Sequence, residues 1–526
     1  MSSTPYWRRG APEELPGLFP VQHMLCRCTT KAAIVFLLLM GDSVSFAQTP
    51  SRGRVGAGLP HALRAQELMQ NQNLEAIPEW EQALQAEPGN ALYHNFFGLA
   101  LQGVGRVQEA RDAFQKATQL NPRLADGYSN LAYSLWTDGR DQEAAAQFDK
   151  ALRLRPADNA LHLARGLLFA SAGDVSKAVT HFDRAQPWPK DVETRWIVFT
   201  TYLRSRRWPE ALATARTLPA EFKTQIAVGQ TLCQAGRAKD AVPFLLKAKK
   251  TNPSDESVLL LLANAYLDSG QAALAWAAIK EMPGGRQGEF EAIELEGSIL
   301  LKLGRRSEAQ RQFEKLRKHY PAVPEAYVHA TQIPLEDQDW PRVLTILGDG
   351  LEKLPGHWLL LYRRAMAYRL SGSLEPARAD LLEALKRGGD VALVSAALGE
   401  LYAKLDDLSS AAQVFRKALS ETGRPEFQYA LALALERMGD DAQALVEYQK
   451  AVALFPENAR ARFAYGKLLQ RAGQLELAKK ELERARTLDP KLSDALYALS
   501  RLYTTLGETA LASATAEEFL ASKQKQ

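Results

Sequence analysis

The 526-residue sequence predicts an all-α fold, a solenoid of about fourteen helix-turn-helix units, and two observations carry that prediction. First, an alanine recurs at Ala76, Ala110, Ala144, Ala178, Ala211, Ala241, Ala275, Ala309, Ala377, Ala411, Ala444, Ala478 and Ala512, with Val343 standing in once. Ten of the thirteen intervals are 34 residues and the others are 33, 30 and 33. Second, other residue types recur in step with it: glycines Gly105, Gly139 and Gly173, aromatics Phe114, Phe148 and Phe182, alanines Ala117, Ala151 and Ala185, and prolines Pro88, Pro122 and Pro156. In such an array each unit packs on its neighbours, so length counts repeats rather than domains.

The stretch from Pro425 to Leu492 shows why each block reads as two short helices. One block carries Ala432, Leu435, Gly439, Ala444, Tyr448, Ala451 and Pro456; the next carries Gly466, Leu469, Gly473, Ala478, Leu482, Ala485 and Pro490. Small residues let the two backbones approach, bulky ones fill the gap, and Gly439 or Gly473 opens the turn. Pro456 and Pro490 end the second helix, because proline has no N–H to donate. This pattern resembles the tetratricopeptide repeat (TPR). The resemblance implies a right-handed α-α superhelix that binds other proteins and needs no cofactor.

Taken in order, the chain opens on Lys31 and an apolar run, Ala32 to Met40, too short to span a bilayer comfortably, followed by the small-residue site Ser45-x-Ala47. Residues 1–47 read as a signal peptide cleaved after Ala47, which makes the protein an exported one of bacterial type, periplasmic or secreted. Retention of that leader would turn it into a membrane anchor. Met24 gives a more compact basic start than Met1, so residues 1–23 read as a mis-called beginning. Residues 48–60, rich in Gly, Pro and Ser, read as a flexible linker. The repeats then form an N-terminal block over 61–190, a more divergent middle block over 191–356 and a C-terminal block over 357–526. Phe199, Arg206 and Trp208-Pro209 break the pattern near Ala211, as do Thr331, Pro334 and Gly350 further on, and both places read either as kinks or as diverged copies in a straight run. The last helix, with Ser513, Thr515, Glu517, Glu518 and Lys523, has the polar face of a terminal cap.

Charge is balanced, with Lys+Arg 65 against Asp+Glu 61, which leaves no electrostatic footprint for nucleic acid. Of three cysteines, Cys26 and Cys28 precede the cleavage point, so Cys233 stays alone and cannot form an intramolecular disulfide. The eight histidines include no i, i+4 pair of the metal-binding kind. No phosphate-binding Gly-x-x-x-x-Gly-Lys loop and no Gly-x-Ser-x-Gly elbow occurs, so no metal, cofactor or catalytic residue is expected and the chain reads as a non-enzyme.

What the resemblance leaves is an inner surface lined by the first helix of each unit. Carried over position by position, it presents Asn95, Tyr133, Trp136, Trp196, Thr200, Arg204, Gln230 and Asn264 in the first half. In the second half it presents Tyr362, Arg369, Tyr429, Phe463, Lys467, Tyr497 and Arg501. Aromatic and arginine side chains are the composition of interface hot spots. Tyr133 with Trp136, and Tyr497 with Arg501, are expected to contact a partner most directly. The paired Lys and Asn of the family's chaperone-tail clamp have no counterpart, since Asn95 and Asn130 lack suitably placed lysines. The function expected is an interaction scaffold that holds extended peptides or partner helices, assembling envelope or secretion machinery. The alternative is a polysaccharide-handling component whose aromatics stack on sugar rings.

Overall fold

The structure, a computed structural model, describes residues 57–70, 75–189, 191–282 and 289–524; the predicted signal peptide and all but the end of the predicted linker lie outside them. The described residues form helices and turns, without a strand, in two compact units, Met1–Met282 and Pro283–Gln526. The boundary falls inside the stretch 191–356.

In the first unit α1 (Leu59–Gln70) pairs with α2 (Ala76–Ala86), α3 (Ala91–Gly103) with α4 (Val107–Leu120), and α5 (Ala125–Thr137) with α6 (Asp141–Leu154). Then come α7 (Asn159–Ser171) with α8 (Val175–Arg184), α9 (Val192–Arg204) with α10 (Trp208–Thr217), α11 (Phe222–Gln234) with α12 (Ala238–Thr251), and α13 (Glu256–Asp268) with α14 (Ala272–Lys280). In the second unit α15 (Phe290–Lys302) pairs with α16 (Arg306–His319). Next, α17 (Pro324–Ala330) and α18 (Gln332–Glu336) both lie on α19 (Trp340–Lys353). The remaining pairs are α20 (Trp358–Leu370) with α21 (Leu374–Lys386), α22 (Val391–Lys404) with α23 (Leu408–Thr422), α24 (Pro425–Arg437) with α25 (Asp441–Leu454), α26 (Ala459–Arg471) with α27 (Leu475–Leu488), and α28 (Ser493–Thr505) with α29 (Thr509–Gln524). These are the expected helix-turn-helix units, and each unit of the structure is an all-α helical-repeat superhelix. Helix α1 begins at Leu59, so the predicted linker 48–60 runs two residues too far.

The recurring residues act as their types dictate. A Cβ added at Gly98 would lie 2.5 Å from the Phe114 ring, and at Gly399 only 2.2 Å from that of Phe415, so glycine is what lets these helix pairs close. The ruler alanines Ala110, Ala144, Ala178, Ala444 and Ala478 are fully buried. Asp158, Asp255, Asp390 and Asn458 cap first helices by accepting hydrogen bonds from backbone N–H groups of the first turn. Neighbouring repeats are pinned by Tyr202, whose hydroxyl donates to Asp183 at 2.8 Å, and by Tyr503, which donates to Glu483 at 2.8 Å.

The two divergent units resolve differently. At Ala211 the bulk is exchanged: Phe199 occupies the usual small position, and the second helix answers with Ala215 where most others carry an aromatic or leucine; both are fully buried. This unit keeps two unbroken helices, α9 and α10. The unit with Pro334 does break. Leu335 N–H reaches Thr331 O at 2.9 Å, but Pro334 has no N–H for Ala330 O, and the first helix divides at Thr331 into α17 and α18.

Candidate functional site

In the first unit the packing closes over the predicted patch. Tyr133 and Trp136 are 3% and 0% exposed, both edge-on to Phe148 at ring distances of 4.9 and 6.4 Å, so they belong to the core of the α5–α6 hairpin. Burial pushes the Tyr133 phenol well above its ordinary range. This corrects the expectation that Tyr133 and Trp136 contact a partner, and with it the idea that Trp136 stacks on sugars. The sequence misled because leucines already filled the standard core positions; the volume between α5 and α6 admits two further rings.

Asn95 is corrected likewise. It is buried, and Asn130 Nδ2–H donates to its Oδ1 at 3.0 Å across α3 and α5, so its carbonyl is taken up within the array. Thr200 donates to Trp196 O and Ile197 O within its own helix, and Asn264 Nδ2–H donates to Leu260 O at 3.0 Å. Both side chains are half-buried with a hydrogen bond spent locally. Trp196 is half-buried against Phe199 at 5.4 Å, Gln230 is half-buried, and Arg204 is exposed. Trp196 and Arg204 stay at the surface of α9, and Gln230 at that of α11. Cys233 is buried, and the thiol is pushed up to about 12 by that burial, the environment of an inert side chain.

The second unit holds an open cleft. Tyr429 and Leu433 of α24 face Phe463, Ala464 and Lys467 of α26 across a cleft of about 370 Å³, with Glu436, Arg437 and Arg471 at its end. Three predicted residues, Tyr429, Phe463 and Lys467, therefore meet in one place. Tyr429 packs at 6.0 Å from Tyr448, and burial pushes its phenol up while the Arg460 guanidinium opposes that shift. Phe463 is half-buried, and Lys467 and Arg460 are exposed with no ion pair among the described residues. Arg437 lies 3.2 Å from Asp406, and Arg471 grips Asp441 at 2.6 and 3.0 Å. Glu436 accepts the Tyr448 hydroxyl proton at 2.8 Å, so this carboxylate is held.

On the next first helix, α28, Tyr497 is 50% exposed, 5.4 Å from the Phe519 ring, and Arg501 lies over it at 5.9 Å. Helices α26 and α28 touch, so this pair extends the open face. Tyr362 and Arg369 lie apart from it on α20, both half-buried, with Arg369 3.5 Å from Glu400. Sequence reasoning missed Leu433 and Arg460. Leu433 stands in the register of Lys467 one repeat earlier and Arg460 opens α26, so extending the same register would have found the first. Among the described residues no group of three or more His, Cys, Asp and Glu could hold a metal ion, and no helix is long and apolar enough to cross a membrane.

Repeated two-helix hairpins with small residues at the close contacts, and a groove along the first helices, define a helical-repeat protein. The chain carries tetratricopeptide repeats: models of that family match residues 64–125 and 129–192, 394–422 and 459–492, and 425–468. No curated protein matches the chain in sequence. Solved structures to which it is similar include the Cut9–Hcn1 hetero-tetramer of the APC/C (14% identity over 85% of this chain and 96% of that one, TM-score 0.32). Another is YrrB, a TPR protein with an unusual peptide-binding site (20% identity, 34% and 95% covered, TM-score 0.31). A third is Naa15/Naa10 bound to HypK-THB (18% identity, 88% and 68% covered, TM-score 0.32).

Proposed function

We propose that the protein is a non-enzymatic interaction scaffold that holds a segment of a partner protein on the first-helix face of its second unit. The observation that carries this is the open cleft between α24 and α26, where Tyr429, Leu433 and Phe463 leave apolar surface beside the exposed Lys467. A preformed apolar cleft binds with little ordering of its own, so a few aromatic anchors suffice for affinity. The leader read in residues 1–47 makes the setting an exported one, periplasmic or secreted, and the partner a component of envelope or secretion machinery.

A photo-crosslinking residue at Leu433, compared with one at Val446 on the neighbouring second helix, tests the reading in the producing cell. Both positions are exposed, at 40% and 49%. A discrete protein adduct from Leu433 and none from Val446 is expected; equal labelling from both, or none from Leu433, would refute docking in the cleft. N-terminal sequencing of the secreted or periplasmic protein, expected to begin at Gln48, tests the leader.

A further inference from the structure

The charges around the cleft narrow the class of partner. Its lining holds Arg437, Lys467, Arg471 and Glu436; Arg437 and Arg471 are paired with Asp406 and Asp441, which leaves Lys467 as the uncompensated charge. Arg460 precedes it on α26, and Arg501 follows on α28. Lys467, Arg460 and Arg501 are all exposed and carry no ion pair among the described residues, whereas ion pairs are frequent elsewhere on this chain. The acidic groups of the same helices do not offset them. Glu436 is held by Tyr448 and Arg471, Glu426 lies 3.4 Å from Arg424, and Asp494 remains alone in the first turn of α28. A chain with balanced total charge thus places uncompensated positive charge beside this apolar cleft, and complementary charge both speeds encounter and rejects wrong partners.

Resting on the scaffold reading above, we infer that this face takes an extended acidic segment from within a partner protein. Aromatic or apolar side chains of the segment enter the cleft between Tyr429 and Phe463, and its carboxylates lie against Arg460, Lys467 and Arg501. An internal segment is favoured over a terminal carboxylate because these cations are spread over two helices rather than converging on one point. The asparagines of neighbouring first helices that do meet, Asn95 and Asn130, hydrogen-bond to each other.

The test uses the full chain and a fluorescein-labelled peptide of alternating glutamate and tyrosine with an amidated C-terminus, read by fluorescence anisotropy. The peptide should bind, with affinity falling as salt rises, and its free-acid form should bind equally. Lys467→Glu combined with Arg501→Glu should weaken binding on the order of tenfold and flatten the salt dependence, and Tyr429→Ala should weaken it on the order of tenfold without flattening it. The charge variants alter exposed side chains and should keep the parent circular dichroism and melting, so a loss of binding is not a loss of fold. A lysine-tyrosine peptide that bound as tightly, indifference to charge reversal, or dependence on a free terminal carboxylate would overturn the acidic-segment inference. A neutral serine-tyrosine peptide that bound as tightly, and was lost in Tyr429→Ala, would overturn the acidic class and leave the scaffold standing. Binding of polygalacturonate, with no binding of any peptide, would overturn both in favour of a polysaccharide ligand.

Discussion

At the residue scale, His162 and His181 show how the array stores a pH response in one contact. His162 Nε2 is 2.9 Å from Pro156 O, which can only accept, so Nε2 carries the proton and Nδ1 presents a lone pair to His181 Nδ1 at 3.0 Å. His181 can then donate to it through Nδ1–H. Burial, then the neighbouring His162, Arg165 and Arg184, hold His181 down at about 4, with Asp149 opposing. In the unfolded chain the same imidazole binds its proton near 6.5. Between the two values the unfolded chain holds more protons, so acid favours unfolding. The contribution is intact above pH 6.5 and is lost as pH falls toward 4. His181 is half-buried, and after discounting for solvent this amounts to about 1–2 kcal/mol. Thermal unfolding followed at pH 7 and pH 5 should show a drop in Tm for the parent and a smaller one for His181→Asn; equal drops would show that other groups carry the acid response.

At the element scale, the hairpin turn imposes its conformation whether or not the residue suits it. Gly105, Gly439 and Gly473 sit at φ of 81°, 82° and 78°, and where glycine is missing Arg206, Gln338 and Asp406 are driven to 60°, 56° and 61°. A side chain in this left-handed region costs about 1–2 kcal/mol, offset by about 0.4–1 kcal/mol for the freer unfolded glycine. Arg206→Gly and Gln338→Gly should therefore each stabilise the protein by about 0.5–1 kcal/mol in denaturant melts. Asp406→Gly should gain less, because aspartate tolerates this region and the change removes the 3.2 Å contact with Arg437. A destabilised Arg206→Gly would mean that the arginine makes compensating contacts. Turn positions could be read from sequence spacing alone; that the described ones share the left-handed region, with φ from 56° to 87°, is a consequence of closing a hairpin over buried alanines.

At the scale of the whole molecule, packing passes from hairpin to hairpin, so the position of a lesion along the array decides its reach. Ala444 is fully buried in an interior hairpin of the second unit, and Ala512 is buried in the last hairpin described. Ala444→Trp should cost on the order of 1–3 kcal/mol or more and lower amide protection in the hairpins on both sides of α24–α25. Ala512→Trp should loosen α28–α29 and only the one hairpin before it, α26–α27. Hydrogen exchange read by segment distinguishes the two, and equal reach would contradict nearest-neighbour packing. The sequence by itself determined the all-α repeat fold, the places of the turns and the residues that close each hairpin, because those follow from local rules repeated at a fixed period. It did not determine which side chains on the first helices stay open. Tyr133 and Trp136 were swallowed by the core while Tyr429, Phe463 and Lys467 were left around a cleft, and the two sets look alike in sequence. Only the tertiary structure decided between them, because exposure at these positions depends on how closely successive hairpins stack and how much volume remains between them.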